Sequence, residues 1–148
     1  MKKILLIILF SFLFLDNNVI AKDKFLSLKN SKVNVRYGPS LDSPVKYIYK
    51  KINLPVKLID KTKLFRKIID LKNNSGWIHW TQLKESNSII TLENKILFKK
   101  PSSFSKPLAK IEEGRLLVLK KCQKNWCKIK TEEYSGWIKT NNIWGNTN

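Results

Sequence analysis

The chain has 148 residues, and its 29 lysines and arginines against 11 acidic residues give a formal net charge of +18. This length allows one or two small domains, and the charge favours anionic partners. Only Arg36, Arg66 and Arg115 are arginine, whereas proteins that read nucleic acid rely on arginine's bidentate fork. The composition therefore argues against specific nucleic-acid recognition and favours a solvated basic surface.

Residues 1–21 have the pattern of a secretory signal peptide. Lys2 and Lys3 precede the apolar run Ile4–Leu15, and Val19-Ile20-Ala21 supplies the residues of a cleavage site. The run is shorter than the roughly 20 apolar residues that cross a bilayer. Cleavage removes two lysines and one aspartate, which changes the net charge from +18 to +17. We therefore expect a periplasmic or otherwise extracytoplasmic protein with no stable membrane span. The alternative is an uncleaved anchor.

Short strands separated by turns are predicted in the next part of the chain. Lys32–Arg36 alternates polar and apolar residues, which is the period of a half-buried strand. Gly38 and Pro39 end it in a turn, where glycine is expected for its permissive backbone. Asn34 is expected to hydrogen-bond the neighbouring turn. Further strands are predicted at residues 45–49, 54–59, 64–71 and 77–80.

A pattern in this first part of the chain recurs in the second. Gly76-Trp77-Ile78 is followed by Leu83 seven residues after its glycine, and Gly136-Trp137-Ile138 is followed by Ile143 at the same offset. Two related units of about 60 residues therefore lie in tandem, each the size of one small β-barrel. We expect domains at residues 22–86 and 87–148, joined by a short linker.

In the second unit, strands are predicted at residues 96–98, 116–120, 126–130 and 137–138. Between two of these strands, Gln123–Trp126 is predicted to be a four-residue hairpin loop that sets Cys122 opposite Cys127. Because the chain is expected to be exported, these two cysteines are predicted to form a structural disulfide. Zinc is a poor alternative, since two thiols and one histidine do not complete a tetrahedral site.

These residues resemble a known family. Val33-Asn34-Val35-Arg36-Tyr37-Gly38-Pro39-Ser40 is similar to the VNVRxGPS signature of bacterial SH3 domains, and Gly76-Trp77-Ile78 resembles the closing GWV strand of that family. The second copy is more divergent, with Phe98-Lys99-Lys100-Pro101 in place of the Val-Arg-x-Gly core. The resemblance implies an all-β chain of two tandem SH3-like β-barrels after the signal peptide. It also implies a binding or adaptor role outside the cytoplasm, often at the cell wall. The structural motif residues are expected to be Asn34, Gly38, Pro39, Gly76, Trp77, Trp126, Gly136 and Trp137.

Trp80 is the leading candidate for ligand contact. Its counterpart in the second unit is Thr140, so the barrel does not require an indole there, whereas Trp77 and Trp137 are equivalent and are expected to pack against their own barrels. Packing between the two domains is the alternative role for Trp80. The full set of predicted ligand-binding residues is Arg36, Tyr37, Tyr47, Tyr49, His79 and Trp80.

The sequence offers little that could catalyse a reaction. His79 is the only histidine, both cysteines are expected to be paired, and no phosphate loop or metal-ligand cluster occurs. We therefore expect a protein without enzymatic activity, metal or cofactor, which docks a periplasmic protein or a peptidoglycan peptide. The alternatives are a purely structural component of the envelope and an electrostatic binder of anionic polymer or membrane surface.

Overall fold

The computed structural model describes residues 23–147, and the predicted signal peptide lies outside them. The first sheet contains β1 (Phe25–Leu28), β2 (Val33–Arg36), β3 (Val45–Tyr49), β4 (Pro55–Lys61), β5 (Phe65–Ile69), β6 (Ser75–His79) and β7 (Leu83–Glu85). A 3₁₀ turn, Trp80–Gln82, separates β6 from β7. The second sheet contains β8 (Ser88–Thr91), β9 (Lys95–Phe98), β10 (Pro107–Ile111), β11 (Leu116–Gln123), β12 (Trp126–Lys130), β13 (Ser135–Lys139) and β14 (Ile143–Gly145).

The two sheets have the same topology. Their strand orders are β3-β2-β6-β5-β4-β1-β7 and β10-β9-β13-β12-β11-β8-β14, with antiparallel pairing throughout. Each strand of the first sheet therefore has a counterpart seven strands later. The prediction of an all-β chain with two tandem SH3-like domains is confirmed.

Each sheet encloses its own core of aliphatic side chains. The first core contains Leu26, Leu28, Val33, Val35, Val56, Ile68, Ile78 and Leu83. The second contains Ile89, Leu97, Ile111, Leu117, Leu119, Cys127, Ile129 and Ile138. Successive side chains of a strand point to opposite faces, so the alternation in Val33–Arg36 directs both valines inward. Two separate cores follow from two separate amphipathic sheets.

The two repeated tryptophans lie on the outer faces of their sheets, where Trp137 is buried and Trp77 is half-buried. Trp77 and Trp137 each precede a core isoleucine, so they occupy the outer face of their sheets. The Lys67 ammonium lies 6.0 Å from the centre of the Trp77 ring, and the Lys121 ammonium lies 5.5 Å from that of Trp137. Both indoles pack against their own domain, as the sequence predicted. Aliphatic side chains fill most of the interior, and the Phe65 ring is also buried.

The repeated glycines allow two strands to come close together. A Cβ added to Gly136 would lie 2.6 Å from the carbonyl oxygen of Phe98, and one added to Gly76 would overlap Cγ1 of Val35. The glycines of the two GWI motifs therefore serve the close approach of β2 to β6 and of β9 to β13. Gly38, by contrast, does not have a positive φ. The expectation that Gly38 is needed for its permissive backbone is therefore wrong. A Cβ added at Gly38 would instead meet the Ser43 hydroxyl at 2.7 Å.

Several local predictions need correction. The strands β1, β7, β8, β10 and β14 were not predicted, because they are short or lack a clear alternation. The cysteine hairpin turns on Lys124 and Asn125 alone, since Gln123 pairs with Trp126 and Cys122 with Cys127. The predicted disulfide is present. The expected hydrogen bond of the Asn34 side chain to the neighbouring turn does not occur among the described residues. The Asn34 backbone N–H instead donates to Oε1 of Gln82, 48 residues away, at 3.2 Å.

The two domains contact each other through residues that the sequence did not single out. The rings of Phe25 and Trp144 meet edge to face, with centroids 5.1 Å apart. The Trp144 indole Nε1 donates a hydrogen bond of 3.1 Å to the carbonyl oxygen of Pro55. The Ser88 hydroxyl donates one of 2.6 Å to the carbonyl of Asn53. Trp80 has no role in these contacts and is 49% exposed.

Candidate functional site

An equivalent backbone hydrogen bond fixes the same surface in each domain. In the first domain the Trp80 N–H donates to the carbonyl of Leu64 at 2.9 Å, and in the second the Thr140 N–H donates to that of Asn125 at 3.0 Å. Each bond ties the hairpin turn between the domain's fourth and fifth strands to the residue after its sixth strand. The two surfaces share a position in the fold and differ in their side chains.

In the first domain this surface is apolar and aromatic, and we call it the Trp80 surface (Leu64, His79 and Trp80). Leu64 is 47% exposed and Trp80 is 49% exposed. The His79 ring stands edge to face against Phe65 at 5.2 Å, and its Nδ1 lies 2.8 Å from the Thr81 hydroxyl. The indole of Trp80 lies beside that imidazole, with centroids 6.4 Å apart. Trp80 therefore has a supported position and a large free face.

The remaining predicted ligand residues do not join the Trp80 surface. Tyr47 is paired with Val35 and Tyr49 with Val33 across β2 and β3, so both tyrosines share the inward face of the valines. They pack against the first core. Arg36 instead pairs with Trp77 on the outer face, and its guanidinium donates to the carbonyl of Ser43 at 2.7 Å.

Tyr37 stands apart from both groups. Its side chain is 66% exposed and lies next to the Lys46 ammonium, 5.6 Å from the ring centre. The structure thus groups His79 with Trp80 and separates Arg36, Tyr37, Tyr47 and Tyr49 from that pair.

Tyr49 takes part in a structural hydrogen-bond network. Its hydroxyl donates to Oδ2 of Asp70 at 2.9 Å, and Oδ1 of Asp70 accepts from the backbone N–H groups of Lys72 and Asn74. Burial raises the pKa of Tyr49 well above its usual value, and the hydrogen bonds to Tyr47 and Asp70 raise it further. Burial also raises the pKa of Tyr47. These groups hold β3 against the β5–β6 turn, so they stabilise the fold and do not form part of a ligand site.

The second domain carries an open cleft of about 780 Å³ at the position equivalent to the Trp80 surface. We call it the Trp126 cleft, and it is lined by Pro101, Ser102, Ser103, Phe104, Asn125, Trp126, Lys139, Thr140 and Asn141. The Phe104 side chain is fully exposed. The Lys139 ammonium lies 5.7 Å from the centre of the Trp126 ring, whose edge-to-face partner is Phe98 at 5.6 Å.

A buried lysine supports one wall of the Trp126 cleft. The Lys95 side chain is 4% exposed, and its ammonium donates to the backbone carbonyl of Asn141 and to Oε1 of Glu93, the latter at 2.9 Å. The side-chain amides of Asn141 and Asn142 donate to Glu93 at 2.6 and 2.8 Å. The Asn142 hydrogen bond, followed by that from Lys95, holds the pKa of Glu93 below its usual value. This network fixes the β13–β14 connection.

The Trp126 cleft was not predicted from the sequence, because Trp126 has an aromatic counterpart, Phe65, in the first domain and so does not stand out. Two signals were present in the second unit. Lys95 stands where the first domain has the core residue Val33, as the first residue of β9 and of β2 respectively. Lys139 is the cross-strand partner of Trp126, whereas its counterpart His79 is the partner of Phe65. Both substitutions put a cation where the first domain has none.

Within residues 23–147, no helix is long and apolar enough to span a membrane. No group of three histidine, cysteine or acidic side chains in that range could hold a metal ion.

The duplicated seven-stranded sheets and their equivalent surfaces define a tandem of SH3-like domains. The family model described as bacterial SH3 domain matches residues 29–85 and again residues 93–145. The chain belongs to the bacterial SH3 domain family, whose members are generally cell-wall binding modules and are typically extracellular or in the cell envelope.

The solved structures that this chain matches include two proteins from Trichomonas vaginalis, NlpC2 and NlpC1. Each is 12% identical with a TM-score of 0.39, and the matches cover 84% and 82% of this chain and 48% and 45% of theirs. An NlpC/P60 family protein from Bacillus cereus is 13% identical with a TM-score of 0.38, over 81% of this chain and 55% of that one. The chain thus spans about half the length of these structures. No curated protein matches it.

Proposed function

We propose that this protein is an exported, non-enzymatic binding module of the cell envelope that docks a cell-wall peptide. The observation that carries the proposal is the Trp80 surface. A tryptophan that is 49% exposed lies next to a leucine that is 47% exposed, and a backbone hydrogen bond fixes their relative position. Exposed, rigidly held aromatic residues are enriched among those that dominate binding energy.

An extracytoplasmic location is supported by the disulfide as well as by the predicted signal peptide. Disulfides persist in oxidising environments such as the periplasm and the extracellular space. The Cys122–Cys127 bond links neighbouring strands of one hairpin, where it acts as a local staple.

A role in binding rather than catalysis is supported by the surroundings of the chain's titratable groups. His79, the sole histidine, contacts a threonine hydroxyl and a phenylalanine ring, and nucleophilic catalysis needs an activated nucleophile beside its base. Both cysteines are in the disulfide. The aromatic surface instead suits stacking on the flat peptide units of a ligand.

The test is co-sedimentation of the mature protein with purified peptidoglycan sacculi. We expect wild-type protein to pellet with sacculi and Trp80→Ala to bind at least about tenfold more weakly, as is typical for a dominant aromatic contact. Tyr134→Ala is the matched control, because Tyr134 is 43% exposed but lies in the β12–β13 turn.

If wild-type protein and Trp80→Ala both lose their binding to sacculi as the salt concentration rises from about 50 to 500 mM, the protein is instead an electrostatic binder of anionic polymer. Failure of the wild-type protein to sediment would overturn the proposal. A protein recovered by crosslinking in the native envelope through Trp80 would then identify a periplasmic partner.

A further inference from the structure

We propose that the Trp126 cleft of the second domain is a binding site for the free carboxylate of a short peptide. This inference rests on the proposed function, since it assigns the chemistry of one part of the cell-wall ligand. The Trp126 cleft differs from the Trp80 surface in its residues and in the chemical group that it recognises.

The charge of the cleft points to an anionic group. Lys139 is the one ionisable residue among the nine that line it. The nearby carboxylate of Glu93, in the adjoining pocket, is paired with Lys95. None of the ion pairs between described residues includes Lys139, so its ammonium can donate to a ligand carboxylate. Lys99, Lys100 and Lys106 lie on the loop that carries Phe104 and add positive potential at the rim.

The Lys139 side chain is exposed, and its ammonium lies against an aromatic ring. Lys139 is the direct cross-strand neighbour of Trp126, and its ammonium lies 5.7 Å from the indole centre. A cation held over an aromatic face loses part of its side-chain freedom before the ligand arrives, which lowers the entropic cost of binding. The first domain has His79 at this position, so only the second domain places a permanent cation here.

The remaining lining residues suit the rest of a short peptide. Phe104 is fully exposed and Trp126 is partly exposed, so both can cover an apolar side chain next to the carboxylate. Asn125 and Ser103 carry polar groups that can pair with peptide amides. The network of Lys95 and Glu93 holds the wall that Asn141 forms in place without ligand.

The experiment is an NMR titration of the mature protein, following the backbone amides of Asn125 and Thr140 and the indole of Trp126. The probes are N-acetyl-D-Ala-D-Ala as the free acid, the same dipeptide as its C-terminal amide, and inorganic phosphate. We expect the free acid to bind about tenfold more tightly than the amide, because a hydrogen bond to a charged group is worth at least that factor. Phosphate should shift these resonances far less.

Three variants complete the test. Lys139→Gln should remove the preference for the acid, and Lys139→Arg should keep most of it. Lys121→Gln is the matched control, because Lys121 also lies over a tryptophan, Trp137, but outside the cleft. Equal affinity for acid and amide, equal affinity for phosphate, or an unchanged preference in Lys139→Gln would each overturn the carboxylate site.

The two proposals fail separately. Sacculi that bind through Trp80, with no acid preference in the dipeptide titration, would leave the proposed function intact and remove the carboxylate site. A carboxylate site that depends on Lys139, in a protein that does not bind sacculi, would support this inference and remove the cell-wall ligand.

Discussion

The indole Nε1 of Trp144 donates a hydrogen bond of 3.1 Å to the carbonyl oxygen of Pro55, 89 residues earlier in the chain. Trp144 lies in the last strand of the second domain and Pro55 begins β4 of the first. Together with the edge-to-face contact of Trp144 with Phe25, this bond joins the last strand of the second domain to the first domain. If one polymer engages both the Trp80 surface and the Trp126 cleft, the second contact is intramolecular and increases avidity.

Two substitutions of Trp144 should show how much its hydrogen bond and its ring contact each contribute to the free energy of unfolding. We expect Trp144→Phe to lower the free energy of unfolding by about 1 kcal/mol through loss of the hydrogen bond. Trp144→Ala, which also removes the ring from a half-buried site, should cost about 3 kcal/mol. Denaturant titration measures both, with Trp80→Ala as an exposed control near zero. Equal losses in the Phe and Ala variants would contradict this account.

Opening the disulfide should destabilise the second domain by a modest amount. Cys122 and Cys127 close a loop with a sequence separation of 5, for which the chain-entropy estimate is about 2 kcal/mol. The double substitution Cys122→Ala with Cys127→Ala should lower the second domain's stability by that amount in a denaturant titration. Reduction of the wild-type protein should give a similar shift. Because the hairpin carries Asn125 and Trp126, which line the Trp126 cleft, the affinity of the cleft for the dipeptide acid should decrease as well.

The fold could be predicted from the sequence, but of the two candidate sites only the Trp80 surface could. The alternation in Val33–Arg36 and the repeated GWI motifs defined strands whose inward and outward faces follow from period alone. The same period shows that Tyr47 and Tyr49 share a face, but not that it is the inner one, because that depends on their pairing with Val33 and Val35. Sequence spacing therefore grouped both tyrosines with Trp80 incorrectly.

Contacts between the two domains, such as those of Trp144, could not be predicted from the sequence either. No role in joining the domains was predicted for Trp144, because its partners Pro55 and Phe25 lie in the other domain. No local periodicity encodes how two domains are placed. A second reason why the Trp126 cleft was not predicted is that its walls come from a loop, a hairpin turn and a strand end that are far apart in the chain.

The Glu93 network predicts how the second domain responds to acid. Its hydrogen bonds from Asn142, Lys95 and Asn141 hold the pKa of the Glu93 carboxyl below its usual value. A carboxyl with a lowered folded-state pKa stabilises the fold above its unfolded value of about 4.3, and that contribution is lost as the pH falls through the folded value. We expect unfolding midpoints of wild-type protein to decrease below about pH 4.3 and those of Glu93→Gln to decrease less. Glu132→Gln, in the exposed β12–β13 turn, is the control and should follow wild type.

The glycine of the second GWI motif should not tolerate a methyl group. In Gly136→Ala the new Cβ would lie 2.6 Å from the Phe98 carbonyl oxygen and 2.9 Å from Cγ of Leu97, so β9 and β13 would have to separate. Overpacking of this kind costs about 1–3 kcal/mol. In Gly38→Ala the nearest atom is the Ser43 hydroxyl, which can rotate away, so thermal unfolding should show a smaller loss. A Gly136→Ala protein as stable as Gly38→Ala would show that the strands are not in close contact.

Alkaline pH should weaken the first domain through Tyr49. Burial raises the pKa of Tyr49, and its hydrogen bonds to Tyr47 and Asp70 raise it further. A phenol with a raised folded-state pKa stabilises the fold fully below its unfolded value of about 10, and this contribution decreases as the pH rises above that value. In Tyr49→Phe we expect a loss of about 1 kcal/mol at neutral pH, from the hydrogen bond to Asp70, and a weaker decline in stability between about pH 10 and 12. Tyr134→Phe removes an exposed phenol and should leave the alkaline decline as it is in wild type. Parallel alkaline declines in wild type and Tyr49→Phe would show that the Tyr49 phenol does not stay protonated in the folded domain.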